Sequence, residues 1–264
     1  MNKELEEKIQ KGFNTLKDRS AIVAFSGGVD SSVVAVLAKS ACRKIKLITI
    51  KSEVISDNEI KEANLIGDLV GVPHETIVLS VDSDHFWSNP PDRCFYCKKA
   101  IFGKLKEIAK ESGYDIVIDG TNASDIKGHR PGFRALKELG ILSPLLIGNL
   151  TKSDVREIAS EYGLSVAKKP AMACLASRIP YGEEITINKL KRVELGENFL
   201  HELAISKQIR LRDHGNLARI EIDPIDIPRL FEEKFYSLIS EKLKEIGYTY
   251  VTLDLEGYRP SIPE

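Results

Sequence analysis

A chain of 264 residues with 42% hydrophobic and 29% charged side chains carries enough apolar material for one large domain or two ordinary ones, which excludes a disordered or fibrous polypeptide. Its 38 Lys and Arg nearly cancel its 39 Asp and Glu, so no net basic field draws it to a nucleic-acid backbone. The uncharged stretch 139–151 is shorter than the ~20 apolar residues of a membrane span and contains Pro144, Gly148 and Asn149; the first residues are charged, four cysteines are too few for a disulfide scaffold, and a cytoplasmic protein is expected.

Leu5, Ile9, Phe13 and Leu16 recur at helical spacing, which predicts an amphipathic entry helix over 2–18. The apolar run 21–25 reads as a strand, 26–32 as a polar glycine-rich loop, and Val33 onward as a helix. A strand over 45–50 follows. Ser56 with Glu59 three residues on is a capping box that opens a helix to about Val70. The alternation continues with a strand over 76–79, a helix over 100–110 and a strand over 116–119. Strands rich in Ile and Val on both faces, alternating with helices, predict a parallel sheet covered on both sides. Thr151 and Asp154 cap a further helix to Tyr162, and the first domain is expected to be 1–165.

Residues 166–185 hold Pro170, Pro180 and Gly182 without a clean period and read as a linker or active-site loop. Beyond it, over 186–264, a helix (187–203), two strands (208–213 and 217–222) joined through His214-Gly215-Asn216, a helix with Phe231, Phe235, Leu238, Ile239, Leu243 and Ile246 on one side, and a strand over 248–255 make a smaller α+β domain.

Ser26-Gly27-Gly28-Val29-Asp30-Ser31-Ser32 sits where the first strand hands over to its helix. Adjacent glycines let backbone N–H groups converge on one anion, and the helix adds its unpaired donors and positive dipole end. The hydroxyls of Ser26, Ser31 and Ser32 can add donors. A phosphate site is expected, and Asp30 beside phosphate calls for a bridging cation such as Mg²⁺. A tight turn with an ordinary helix cap is the alternative. The string is neither a Walker A motif, which needs a Lys after the glycines, nor G-x-G-x-x-G.

Cys94 and Cys97, three residues apart at a helix start and flanked by Arg93, Lys98 and Lys99, can reach one metal centre and favour thiolate. Cys174 lies far along the chain. Three readings stand: a redox disulfide with a buried Cys174, zinc completed by His85 or His129, and an iron–sulfur cluster on three thiolates. Cys42 reads as a small packing residue.

The loop resembles the PP-loop of the ATP pyrophosphatase superfamily. Taken with Lys51-Ser52-Glu53, Asp119-Gly120-Thr121-Asn122, Arg130-Pro131-Gly132, Lys152-Ser153-Asp154-Val155-Arg156, Ser177-Arg178-Ile179-Pro180-Tyr181-Gly182, Arg219-Ile220-Glu221 and Val251-Thr252-Leu253-Asp254, the chain is similar to the LarE family. The resemblance implies a PP-loop domain with a smaller domain for substrate or oligomerisation. It implies ATP bound by Ser26, Gly27, Gly28, Asp30, Ser31 and Ser32, with Mg²⁺ on Asp30 and charge stabilisation by Lys152. The implied substrate is pyridinium-3,5-biscarboxylic acid mononucleotide, adenylated and then thiolated on the way to a nickel-pincer cofactor of lactate racemase-type enzymes. Some members sacrifice the sulfur of the cysteine matching Cys174. Having Cys94 and Cys97 as well, this chain is similar to members with a [4Fe-4S] cluster on three cysteines, its open iron carrying sulfide from an outside source. Catalytic sulfur delivery is expected, with tRNA thiolation as the alternative.

Arg210 and Arg212 share one face of their strand, and Arg219 and Glu221 alternate with Ala218, Ile220 and Ile222 on the next. An ordinary hairpin would use them in cross-strand ion pairs. The resemblance assigns Arg178, Glu197, Arg210, Arg212 and Glu221 to substrate or metal contact. A homo-oligomer is expected, and neither a membrane nor a nucleic-acid partner.

Overall fold

The structure, a computed structural model, describes residues 2–126, 130–170, 173–231 and 235–259. It divides into two compact units, Met1–Phe86 with Asp92–Met172, and Trp87–Pro91 with Ala173–Glu264.

In the first unit, strands β1 (Ser20–Ala24), β2 (Lys44–Lys51), β3 (His74–Val78) and β4 (Ile116–Ile118) form a sheet in the order β3-β2-β1-β4. Every pairing is parallel, as the two-sided Ile/Val strands predict. Alternate residues of each strand serve different cores. Ala21, Val23 and Leu47 join the cluster with helices α1 (Lys3–Phe13), α2 (Val29–Ala41) and α3 (Asp57–Val70), whereas Ile22, Ile48, Ile50 and Val117 face the cluster with Phe102, Leu105 and Leu136. Those three residues come from α5 (Arg93–Glu111), which follows the single turn α4 (Asp84–Trp87), and from α6 (Pro131–Glu138). The turn α7 (Pro144–Ile147) and α8 (Lys152–Glu161) complete the unit.

Caps fix helix starts where the sequence placed them. Ser56 accepts from the Glu59 amide, and Thr151 and Asp154 form the reciprocal capping box of α8. The entry helix ends at Phe13 in a 3₁₀ turn, Asn14–Leu16, rather than running to 18. α5 begins at Arg93, seven residues before the periodic run over 100–110 and at the helix start expected from the Cys94–Cys97 pair; packing holds its first turn, with Phe95 buried beneath the Arg134 guanidinium of α6, 3.9 Å from the ring centroid.

In the second unit, β5 (Ile209–His214) and β6 (Leu217–Ile222) form the expected hairpin, and β7 (Tyr250–Leu253) pairs parallel to β6. Helices α9 (Ile187–Glu202) and α10 (Phe235–Ile246) supply Leu200, Ile239 and Leu243 to its core. The predicted stripe on the last helix is narrower than its sequence suggests. Ile239 and Leu243 are buried, but Leu238 is exposed, and Phe231 is exposed at the end of a 3₁₀ segment, Pro224–Phe231, that holds Pro228. The last strand is likewise shorter than 248–255. Among the described residues no helix is long and apolar enough to cross a membrane.

Candidate active site

The loop after β1 is shaped by two close approaches. Gly27 has φ +67°, and a Cβ there would lie 2.6 Å from the Ala63 Cα, so α3 packs directly on the loop. On the other side, a Cβ on Gly120 would lie 3.0 Å from the Ser31 amide nitrogen, which brings the turn after β4 against the first turn of α2. Gly28 caps α2 without a side-chain hydrogen bond. That helix start can therefore offer its N–H donors and dipole to an anion.

The three loop hydroxyls have different settings. Ser31 Oγ donates to the Gly28 carbonyl at 3.1 Å and accepts from the Ser26 amide at 3.3 Å, which fixes the turn itself. Ser32 is fully buried, and its Oγ has no partner among the described residues. Ser26 lines a cavity of about 150 Å³ together with Gly28, Val29, Asp30, Glu59, Lys152, Lys169 and Pro170. Asp30 accepts from Lys152 Nζ at 2.5 Å and from Asn122 Nδ2 at 3.0 Å. Lys152 is the first residue of α8, so the Thr151 cap fixes the backbone from which its ammonium reaches Asp30. Asn122 is fully buried and belongs to the turn anchored by Asp119, whose carboxylate accepts from Thr121 and Ser143. The Asp30 carboxylate already pairs with the Lys152 ammonium, and its oxygens are the hard donors Mg²⁺ prefers.

Of the residues expected at the nucleotide, Ser26, Gly28, Asp30 and Lys152 line the cavity, whereas Gly27, Ser31 and Ser32 belong to the loop and helix start without lining it; Glu59 and Lys169 line it with no role expected of them, and Asn122 was expected only as part of a family string. The Asp-Gly-Thr-Asn string was the available signal for Asn122; nothing periodic marks Lys169.

His74 supports the loop from behind. Thr49 Oγ1 donates to the Phe25 carbonyl at 2.8 Å, so at 2.8 Å from His74 Nε2 it accepts that ring's proton. Burial holds the His74 imidazole below its ordinary value.

The four cysteines are thiols rather than disulfides. Cys94, exposed, and Cys97, half-buried, stand one turn apart at the start of α5 in the first unit. Cys174, half-buried, heads the 3₁₀ turn Leu175–Arg178 in the second. Accessible thiols of this kind suit iron–sulfur ligation, whereas Cys42 packs against the core and burial pushes its thiol up to about 11. Among the described residues no three His, Cys, Asp or Glu side chains are gathered as a metal group. Of the two histidines considered for zinc, His85 stacks on Tyr96 at 5.1 Å, and His129 lies outside the described residues.

Within the second unit, the predicted substrate residues form buried ion pairs. Arg178 meets both oxygens of Glu197 at 2.9 and 3.0 Å, and Arg212 meets both of Glu221 at 3.0 and 3.1 Å. Arg210 sits opposite Glu221 and is itself buried. Desolvation first, then the nearby Arg178 guanidinium, lowers its affinity for its proton. Asn89, five residues before Cys94, is fully buried in this unit and donates to the carbonyls of Ile179, Pro180 and Glu183.

A parallel sheet whose first strand ends in a glycine loop, with the next helix start and a lysine–aspartate pair around one cavity, defines a PP-loop ATP pyrophosphatase domain. A family model described as asparagine synthase matches residues 5–86. An uncharacterized protein of Synechocystis is 38% identical over 96% of this chain and 94% of its own length. The pyridinium-3,5-bisthiocarboxylic acid mononucleotide synthase of Lactiplantibacillus plantarum is 34% identical over 92% of this chain and 89% of its own. A tRNA-specific 2-thiouridylase of Zymomonas mobilis is 29% identical over 70% of this chain and 61% of its own. The chain belongs to the LarE family of ATP-dependent sulfurtransferases.

Proposed function

We propose that the protein converts the carboxylates of pyridinium-3,5-biscarboxylic acid mononucleotide to thiocarboxylates through an acyl adenylate, for assembly of a nickel-pincer cofactor. The observation that carries this reading is the similarity, over 92% of the chain, to a synthase whose name states the thiolated product. The chemistry requires activation. A carboxylate repels nucleophiles and has no leaving group, so its oxygen first attacks the α-phosphorus of ATP. The bond to the β-phosphate oxygen breaks, and its electron pair departs on pyrophosphate. Sulfide then adds to the acyl carbon, and the carbon–oxygen bond to AMP breaks with its pair on AMP.

This chain's residues have separable tasks in that sequence. The amides after Gly28 and the ammonium of Lys152 oppose the charge that grows on pyrophosphate. Asp30, with Asn122 on one oxygen and Lys152 on the other, would hold the cation that accompanies the nucleotide, and Mg²⁺ there would supply Lewis-acid polarisation of the phosphates. A [4Fe-4S] cluster held by Cys94, Cys97 and Cys174 would supply sulfide at an iron without a protein ligand. Arg178 fixes the backbone beside Cys174 through the carbonyls of Ala173 and Cys174 at 2.6 and 3.1 Å.

The test is AMP release from α-labelled ATP with the pyridinium biscarboxylate as the only acid. Substrate-dependent AMP supports the reading, and AMP that forms only with tRNA overturns it. Thiolation of tRNA is the second reading, favoured by the similarity to the Zymomonas enzyme; the balance of 38 basic against 39 acidic residues gives it no electrostatic footprint.

A further inference from the structure

The loop cavity has a second lysine whose setting differs from that of Lys152. Lys169 lines the cavity with Asp30, Glu59 and Lys152, and its ammonium is paired with Glu62 of α3. Its backbone is tied down. Arg156, on α8, donates to the Ala167 carbonyl at 2.5 Å and the Lys169 carbonyl at 2.9 Å, and the Lys169 amide donates to Val166 at 3.0 Å. Val166 and Ala167 are buried in the main core, which fixes the segment from below. The ammonium end is not so fixed, because Glu62 is 49% exposed and is not part of the cavity lining. An ion pair that open to water is weak and exchanges readily for a stronger anion.

We propose that Lys169 is a phosphate-binding residue for ATP: the arriving triphosphate draws its ammonium off Glu62, which serves as its resting partner. A triphosphate carries several negative charges in one small volume and outcompetes a single solvated carboxylate for the cation. Lys152 and Lys169 thereby approach the nucleotide from separate tethers, one at a helix start and one on an Arg156-clamped strap. Asp30 and Glu59, the two cavity carboxylates, repel the same phosphates, so a second cation is needed to make the cavity attractive to them.

The inference rests on ATP use by the family and deepens the proposed reaction at that same site. Its test is calorimetric binding of a non-hydrolysable ATP analogue with Mg²⁺, without acid substrate, to the unsubstituted protein and to Lys169→Gln, Glu62→Gln and the double variant. Loss of a charge-assisted contact weakens binding by about 10-fold or more in Lys169→Gln. Removal of the competing carboxylate tightens it by up to about 5-fold in Glu62→Gln. The double variant follows Lys169→Gln, and adenosine binding is the same in all four proteins. The proposal is overturned if both single variants shift affinity in the same direction, if both stay within about 2-fold of the parent, or if adenosine binding falls as much as that of the analogue. Should the pyridinium substrate fail to be thiolated while these shifts hold, the substrate reading falls and the role of Lys169 stands.

Discussion

Replacing Glu197 by Ala tests how the second unit holds the segment that carries Cys174. Arg178 is 1% exposed, and its guanidinium donates to both Glu197 oxygens, to the Ala173 and Cys174 carbonyls and to Ser177 Oγ. Glu197 Oε1 also accepts from the buried Leu211 amide at 3.0 Å. Truncation therefore leaves a buried cation without its counter-ion and a strand amide without an acceptor. Breaking a buried pair from one side costs about 3–5 kcal/mol. The orphaned amide puts Glu197→Ala at the upper end of that range. Glu197→Gln keeps an acceptor for the Leu211 amide and Arg178 Nε but sets an NH2 donor against Arg178 Nη2 and loses the charge, and about 3 kcal/mol is expected. Glu197→Leu combined with Arg178→Met removes both charges and recovers the part of the loss that comes from the unpaired charge, while the Leu211 amide stays without that acceptor. The assay is urea unfolding followed by tryptophan fluorescence, because the single tryptophan, Trp87, belongs to this unit. A loss below about 1 kcal/mol in Glu197→Ala, or a double variant no more stable than the worse single one, would refute the reasoning.

Asp30→Ala removes the acceptor of both Lys152 and Asn122 and is expected to abolish AMP formation while the protein stays folded; AMP at the parent yield would remove Asp30 from the mechanism. His74 gives a pH dependence. Its folded-state value lies below the unfolded one, so its contribution is complete above about pH 6.5 and declines as pH drops through the interval between the two values. His74→Gln lacks that decline, so the stability gap between parent and variant narrows from pH 7.5 to 5.5 in urea titrations, where about pH 6.5 marks the unfolded imidazole. His201, shifted the same way by burial, titrates in both proteins and cancels. A gap of constant width would contradict the argument. Cys94→Ala is expected to lose iron and acid-labile sulfide, and the brown colour, after anaerobic purification; a parent protein that carries only zinc would overturn the cluster.

Much of the first unit could be read from the chain because its signals are local. The Ser56 and Thr151 caps, the two-sided strands and the glycine loop each follow from residues within a few positions of one another. Features set by distant partners were not legible. The first turn of α5 shows no apolar period of its own and is held where α6 covers Phe95, and α6 itself has only eight residues, too few to show a clear period. The outer contact of β4, Ile118 with Leu142, is a single parallel bridge between residues distant in the chain. The same limit applies to the candidate site. Ser26, Gly28, Asp30 and Lys152 belong to recognisable strings, whereas Lys169 belongs to none and lies on a segment whose carbonyl is held by Arg156, thirteen residues earlier. Spacing placed Arg210 and Arg212 on one strand face and offered cross-strand ion pairs as the ordinary use of the hairpin's charges, which is what Arg212 and Glu221 make; it did not say which arginine would take Glu221 or that the pair would be buried.

The most direct test of ATP-dependent sulfur insertion follows one preparation over many turnovers. The protein is incubated anaerobically with ATP, Mg²⁺, sulfide and pyridinium-3,5-biscarboxylic acid mononucleotide, and both the small molecule and the intact chain are weighed by mass spectrometry. The account predicts thiocarboxylate product in excess of protein, AMP formed in step with it, and Cys174 unchanged. Product capped at one sulfur per chain, with Cys174 converted to dehydroalanine, would contradict it.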